Sequence, residues 1–125
     1  MREGSILARP TTFFLKTNIR FGEGEVRRLP AALREFGWRR IAIIVDTGVA
    51  TNPIWQEVAS VLEHEFTIVV RLITSLSEPT YDELDEVRKP FMSQPIDGFV
   101  GVGGGSILDL TKALSVLVTN PGPAI

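Results

Sequence analysis

Gly101-Val102-Gly103-Gly104-Gly105-Ser106-Ile107-Leu108-Asp109-Leu110-Thr111-Lys112 is the stretch from which the fold can be read. It follows an apolar run, Ile96 to Val102, that predicts a buried strand. It opens a segment that places Ile107, Leu110, Ala113, Leu114 and Leu117 on one helical face, with Asn120-Pro121-Gly122-Pro123 as the stop. A strand, a glycine-rich turn and a helix start together make a physical site for a phosphate. Glycines allow close approach of the backbone, and the unpaired N–H groups of the helix start point at the anion. The three-glycine dinucleotide fingerprint is not matched: Ser106 stands where its third glycine would fall, and no acidic residue follows a further strand downstream. Two readings of Ser106 and Asp109 stay open, an N-cap with a capping-box-like partner or contacts to a ligand. Lys112, one turn on from Asp109, suits a solvated ion pair with it.

Upstream, the same alternation of strand and helix appears twice more. Val26, Leu29, Leu33 and Phe36 predict an amphipathic helix closed by Gly37, with Pro30 kinking it or marking its real start nearby. Ile41-Ala42-Ile43-Ile44-Val45 is a continuous apolar run, the pattern of a strand covered on both faces, and it ends in Asp46-Thr47-Gly48. Asn52-Pro53 caps a helix whose apolar face is Ile54, Val58, Val61 and Leu62. Phe66 to Leu72 is the second strand. Thr80 and Glu83 have capping-box spacing before Leu84, Val87 and Phe91, and Pro90 disrupts that helix. Before all of these, Phe13, Leu15, Ile19 and Phe21 alternate around Thr17-Asn18 as a β-hairpin, after a loose leader over residues 1–11.

Three strands alternating with helices predict an α/β fold: a Rossmann-like parallel sheet with right-handed crossovers and flanking helices, preceded by the hairpin. Ligands bind such sheets outside the carboxyl ends of the strands. Asp46, the Ser77-Glu78-Pro79 loop and the turn Gly103 to Ser106 all fall at those ends, so three distant segments converge on one rim. Asp46 has two readings, a cap for the turn after its strand or a carboxylate that accepts the hydroxyls of an adenosine ribose and repels a 2′-phosphate.

Composition narrows the function classes. The 125 residues make one domain, and 44% hydrophobic with 22% charged residues is globular rather than disordered. The net charge is -2 and the arginine pairs Arg27-Arg28 and Arg39-Arg40 sit beside apolar runs, so no nucleic-acid patch is expected. Absence of cysteine excludes disulfides and thiolate chemistry. The one histidine, His64, reads as a solvent-facing helix end, which leaves no metal site and no Ser-His-Asp arrangement to propose. Neither a signal-peptide core nor a membrane-spanning run is present, and a soluble cytoplasmic protein is expected.

The order of these parts resembles the N-terminal domain of the iron-containing alcohol dehydrogenase family, within the superfamily that includes glycerol dehydrogenases and dehydroquinate synthases. The matching pieces are Ile19-Arg20-Phe21-Gly22-Glu23-Gly24, Ile44-Val45-Asp46, Glu78-Pro79-Thr80 and, most specifically, Gly103 to Lys112. The resemblance runs from about Pro10 onward, and Ser106 and Asp109 favour the alcohol dehydrogenase branch. It implies that residues 12–125 form an NAD(P)-binding α/β domain. The Gly103-Gly104-Gly105-Ser106 segment would hold the pyrophosphate, chiefly through the Gly104-Gly105-Ser106 backbone. Asp46 would meet the adenosine ribose, favouring NAD over NADP. Glu78 would flank the adenosine, and Asp109 would lie near the nicotinamide and substrate.

It also implies hydride transfer between a small alcohol or aldehyde and NAD(P), with a divalent metal, iron or zinc, as Lewis acid in the complete enzyme. A homodimer through the hairpin is a further implication. Family members hold the metal with an aspartate and three histidines of a helical second domain, which has no counterpart in this sequence. The chain is therefore expected to be a truncated part of such an enzyme, inactive alone. The alternatives are a stand-alone nucleotide-binding module or half of a split enzyme, and a structural remnant that binds nothing.

Overall fold

A computed structural model describes residues 25–76 and 78–119. The leader, the hairpin, Ser77 and the stop at 120–123 lie outside these residues. The first strand, β1 (Arg40–Asp46), is the centre of the fold. It pairs in parallel with β2 (Thr67–Thr74) on one side and β3 (Gly98–Val102) on the other, giving the order β2-β1-β3. The sheet is the α/β, Rossmann-like parallel arrangement that the sequence predicts.

Side chains of β1 alternate between two cores. Ile41, Ile43 and Val45 pack with Val100, Val102, Leu29, Leu33, Trp55, Val58 and Leu62 on one face. Ala42 and Ile44 pack with Phe91, Phe99, Ile107, Leu110 and Leu114 on the other. All five central residues of β1 are buried, which is why the run is apolar without a period of two. Strand β2 lies at one edge and is only partly covered, whereas β3 at the other edge is buried throughout. Its register slips by one residue between the partners of Ile41 and Ala42, a bulge that places Val69 opposite no residue of β1.

The helices start where local chemistry satisfies their first N–H groups. A 3-10 turn at Glu25–Arg28 leads into α1 (Leu29–Phe36), so Pro30 marks the first helical turn rather than a kink. Gly37, at φ 77°, ends it: its own N–H and that of Trp38 return to the carbonyls of Arg34 and Leu33. The Asn52 side chain accepts the N–H groups of Ile54 and Trp55 at the start of α3 (Pro53–Glu65). The capping box of α4 (Tyr81–Val87) is complete in both directions, Glu83 N–H to Thr80 Oγ1 and Thr80 N–H to Glu83 Oε1. Pro90 opens a separate 3-10 turn, Lys89–Phe91, that delivers Phe91 to the second core.

Three expectations about faces need correction. Phe36 is 54% exposed and lies against the Trp38 ring at 5.1 Å instead of entering the core. Val61 points outward, and the inner face of α3 is Trp55, Val58 and Leu62 with Ile54 partly buried. Trp55 sits three residues before Val58 and therefore on the same stripe, which the sequence reading overlooked. In the third strand, Ile96 stays in the preceding loop and β3 begins at Gly98.

The amino ends of the strands are tied together. Asp97 Oδ2 accepts the N–H groups of Arg39 and Arg40 at 2.8 and 2.9 Å, and the Arg40 carbonyl accepts the N–H of Asp97. The Arg40 guanidinium reaches the Pro95 carbonyl and Gln94 Oε1. This foot fixes β1 against β3 at their amino ends.

Candidate functional site

The carboxyl ends of β1 and β3 form the rim. Asp46 ends β1 and is the N-cap of a four-residue helix, α2 (Thr47–Ala50): its Oδ2 accepts the Gly48 N–H at 2.9 Å. The capping reading of Asp46 therefore holds. It occupies one carboxylate oxygen and leaves Oδ1 without a partner among the described residues. Gly48 stands two residues after Asp46, the spacing of an Asx-turn, and that spacing is the sequence signal of this contact.

Beside Asp46 lies the glycine turn. Strand β3 stops at Val102, and helix α5 (Gly105–Thr119) starts three residues later. The N–H groups of Ile107 and Leu108 both return to the Gly104 carbonyl, which places Gly104 at the cap position. Ser106 therefore sits within the first helical turn. Its N-cap reading is overturned, and with it the capping-box pairing to Asp109, since the helix starts two residues earlier than that pairing requires. Gly104, Gly105 and Ser106 are exposed, as are Asp109 and Lys112 further along the helix. Asp109 and Lys112 form no ion pair among the described residues, so that explanation of both side chains also falls. Ser106 Oγ, likewise, makes no hydrogen bond among them.

Close packing of α5 on the sheet supports this geometry. At Gly101 a Cβ would collide with Thr111 Oγ1 and lie 2.9 Å from Thr111 Cβ. Thr111 is buried, and its hydroxyl donates to the Ile107 carbonyl at 2.7 Å. Glycine in the strand and a self-satisfied threonine in the helix thus let the helix axis approach β3. Gly103 adopts φ 155° between Asp46 and Ile107. Gly104 and Gly105 differ from both: a Cβ on either would meet nothing within 4 Å. Packing among the described residues gives no reason for glycine at these two positions. An anion approaching the helix start does, because only the missing Cβ atoms let it reach the N–H groups. The turn thus has room for an anion at the helix start.

Glu78 follows β2 and is exposed, with φ 51°. Left-handed backbone is uncommon for a residue with a Cβ and is mildly strained. The Glu78 side chain makes no hydrogen bond or ion pair with the described residues, so the structure does not link it to Asp46 or to the glycine turn as it links those two to each other. His64 is exposed at the end of α3, its Nδ1 2.9 Å from the Ser60 carbonyl. Among the described residues no three His, Cys, Asp or Glu side chains are grouped to hold a metal ion. No described helix is long and apolar enough to cross a membrane.

Comparison with known proteins agrees with this arrangement. The family model described as iron-containing alcohol dehydrogenase matches residues 16–125. The chain is 28% identical over 108 residues to the mitochondrial hydroxyacid-oxoacid transhydrogenase of Caenorhabditis briggsae, covering 84% of this chain and 23% of that protein. It is 27% identical over 113 residues to the probable NADH-dependent butanol dehydrogenase 1 of Bacillus subtilis, covering 90% and 29%. The crystal structure of NADH-dependent butanol dehydrogenase A from Thermotoga maritima shares the fold at a TM-score of 0.71 and 22% identity, over 92% of this chain and 29% of that one. The chain thus spans less than a third of the length of these relatives.

Proposed function

The chain belongs to the iron-containing alcohol dehydrogenase family, and from that premise we propose that it is the dinucleotide-binding portion of a metal-dependent alcohol dehydrogenase. The observation that carries the proposal is the pair Gly104 and Gly105, which packing among the described residues does not require and which stands at the start of a 15-residue helix. Their N–H groups and that of Ser106 receive the pyrophosphate, where the helix dipole adds to the attraction. The free oxygen of Asp46 accepts a hydroxyl of the adenosine ribose, and its charge disfavours the 2′-phosphate of NADP. Asp109, one turn into α5, lies toward the nicotinamide, and Glu78 flanks the adenosine.

The reaction of the whole enzyme is reversible hydride transfer between an alcohol and NAD. A divalent metal supplies Lewis-acid polarisation of the alcohol oxygen when bound. The residues described here do not fit that metal, and the sequence holds one histidine, so three histidine ligands cannot come from this chain. What these residues do is bind and orient the cofactor. The 125-residue chain is accordingly expected to bind NAD and to turn over no alcohol.

Calorimetry with NAD, NADP and ADP-ribose tests the reading. Heat with NAD and ADP-ribose is expected, together with a thermal stabilisation of about 2.7 kcal/mol at a hundredfold excess over Kd. No heat and no stabilisation would mean a remnant that binds nothing. Metal- and NAD-dependent turnover by the purified chain would overturn the claim that it is inactive alone.

A further inference from the structure

We infer that Gly103 is a positioning residue that seats the Asp46 carboxylate, and is not itself a contact for phosphate; this rests on the proposed reading of the rim as a dinucleotide site. In sequence the three consecutive glycines are indistinguishable. In the structure they separate into two kinds. Gly104 and Gly105 face open space, whereas Gly103 is wedged between the tip of β1 and the first turn of α5. A Cβ at 103 would lie 2.8 Å from Asp46 Cβ, 3.0 Å from Ile107 Cγ1 and 3.1 Å from Ile107 Cβ.

The two neighbours do not yield equally. Ile107 is 2% exposed and anchored in the second core with Leu110 and Leu114. Asp46 is the last residue of its strand and is partly exposed, so a methyl group at 103 pushes Asp46. On its other side the carboxylate is held by the Gly48 N–H, and a Cβ on Gly48 would lie 3.0 Å from Oδ2. Asp46 is thus held at two places, its carboxylate by an amide and its Cβ by the bare face of a glycine. Hydrogen bonds weaken steeply with misplacement, so a displacement of a few tenths of an ångström matters at this position. Gly103 thereby links the phosphate turn to the group that distinguishes a 2′-hydroxyl from a 2′-phosphate. It is a selectivity determinant that touches neither.

The test compares Gly103→Ala with Gly104→Ala in the full 125-residue chain, using NAD and NADP as probes. Gly103→Ala is expected to lower the NAD-over-NADP affinity ratio by roughly tenfold, the loss of one well-placed hydrogen bond to a charged group. Gly104→Ala should weaken both cofactors by the same factor and leave the ratio intact. Adding Asp46→Ala to Gly103→Ala should change the ratio little further, since the two act as a unit. Equal weakening of NAD and NADP by Gly103→Ala, with the ratio preserved, would assign Gly103 to the phosphates and overturn the inference. If Gly103→Ala alone does not fold, Asp46→Gly in the same chain removes the facing Cβ. Recovery of a folding transition supports the wedge, and its absence where Asp46→Gly alone folds overturns it. Failure of the parent chain to bind NAD would instead overturn the reading of the site, and this inference with it.

Discussion

The two ends of this sheet are built on opposite principles. At the foot, Asp97 takes the N–H groups of Arg39 and Arg40, and the Arg40 guanidinium takes the Pro95 carbonyl and Gln94. Gly98 there has no room for a side chain, because a Cβ would collide with the Trp38 ring. At the rim, Gly104 and Gly105 touch nothing, Ser106 has no partner among the described residues, and Asp46 keeps one oxygen free. The glycines of β3 and of the turn after it thus exist for different reasons. Gly98 and Gly101 within the strand and Gly103 just after it permit packing, whereas Gly104 and Gly105 leave space. The difference teaches that a glycine cluster is evidence of a site only after the packing of each glycine has been excluded.

That contrast can be broken by experiment, beginning where the effect is largest. Gly101→Ala drives a methyl group into Thr111, and Gly98→Ala drives one into the Trp38 ring. Each should cost about 3 kcal/mol in urea denaturation, the upper range for overpacking a core. A loss under about 1 kcal/mol would show that α5 or Trp38 moves aside easily. Next, Asp97→Ala leaves two backbone N–H groups at the start of β1 to solvent. A loss of about 1–2 kcal/mol is expected, with no change in the relative affinities for NAD and NADP. A change in that ratio would mean that the foot does not act only through stability.

Asp46→Ala removes the cap of α2 and should cost about 1 kcal/mol of stability while lowering the preference for NAD. Stability loss without any change in cofactor preference would reduce Asp46 to its capping role. The smallest effect on stability belongs to the open glycines. Gly105→Ala in the first turn of α5 should leave the urea midpoint unchanged or raise stability by about 0.5 kcal/mol, because glycine is a poor helix former. Its cost should appear only in cofactor affinity, as a loss of roughly tenfold or more, equal for NAD and ADP-ribose. A destabilisation matching that of Gly101→Ala would erase the distinction between the two kinds of glycine.

Much of this was legible in the sequence, and the reasons are local. Ile41 to Val45 could only be a strand buried on both faces, because five consecutive apolar residues bounded by arginine and aspartate fit no amphipathic element. Asn52-Pro53 and Thr80…Glu83 announced their helices through side chains that bond their own backbone, and both caps are present. Phe36, Val61 and Ser106 were misplaced for the converse reason. Helical spacing gives a stripe but not its centre, so which edge of the stripe is wetted depends on where α1 and α3 rest on the sheet. The cap of α5 is Gly104, two residues before Ser106, and no side chain signals that position.

The chain order of hydrophobic runs, caps and glycines by itself determined the alternation of strands and helices, the parallel sheet and the convergence of Asp46 with the glycine turn on one rim. These follow from periodicity and from interactions within a few residues, which a linear text records. Only the tertiary structure decided that Gly101 and Gly103 serve packing while Gly104 and Gly105 leave an opening. Such distinctions depend on what stands within a few ångströms across the fold, from residues more than fifty positions away in the chain for Gly103 and Asp46. Glycine has no side chain to betray its surroundings, so its reason for being there is written in its neighbours.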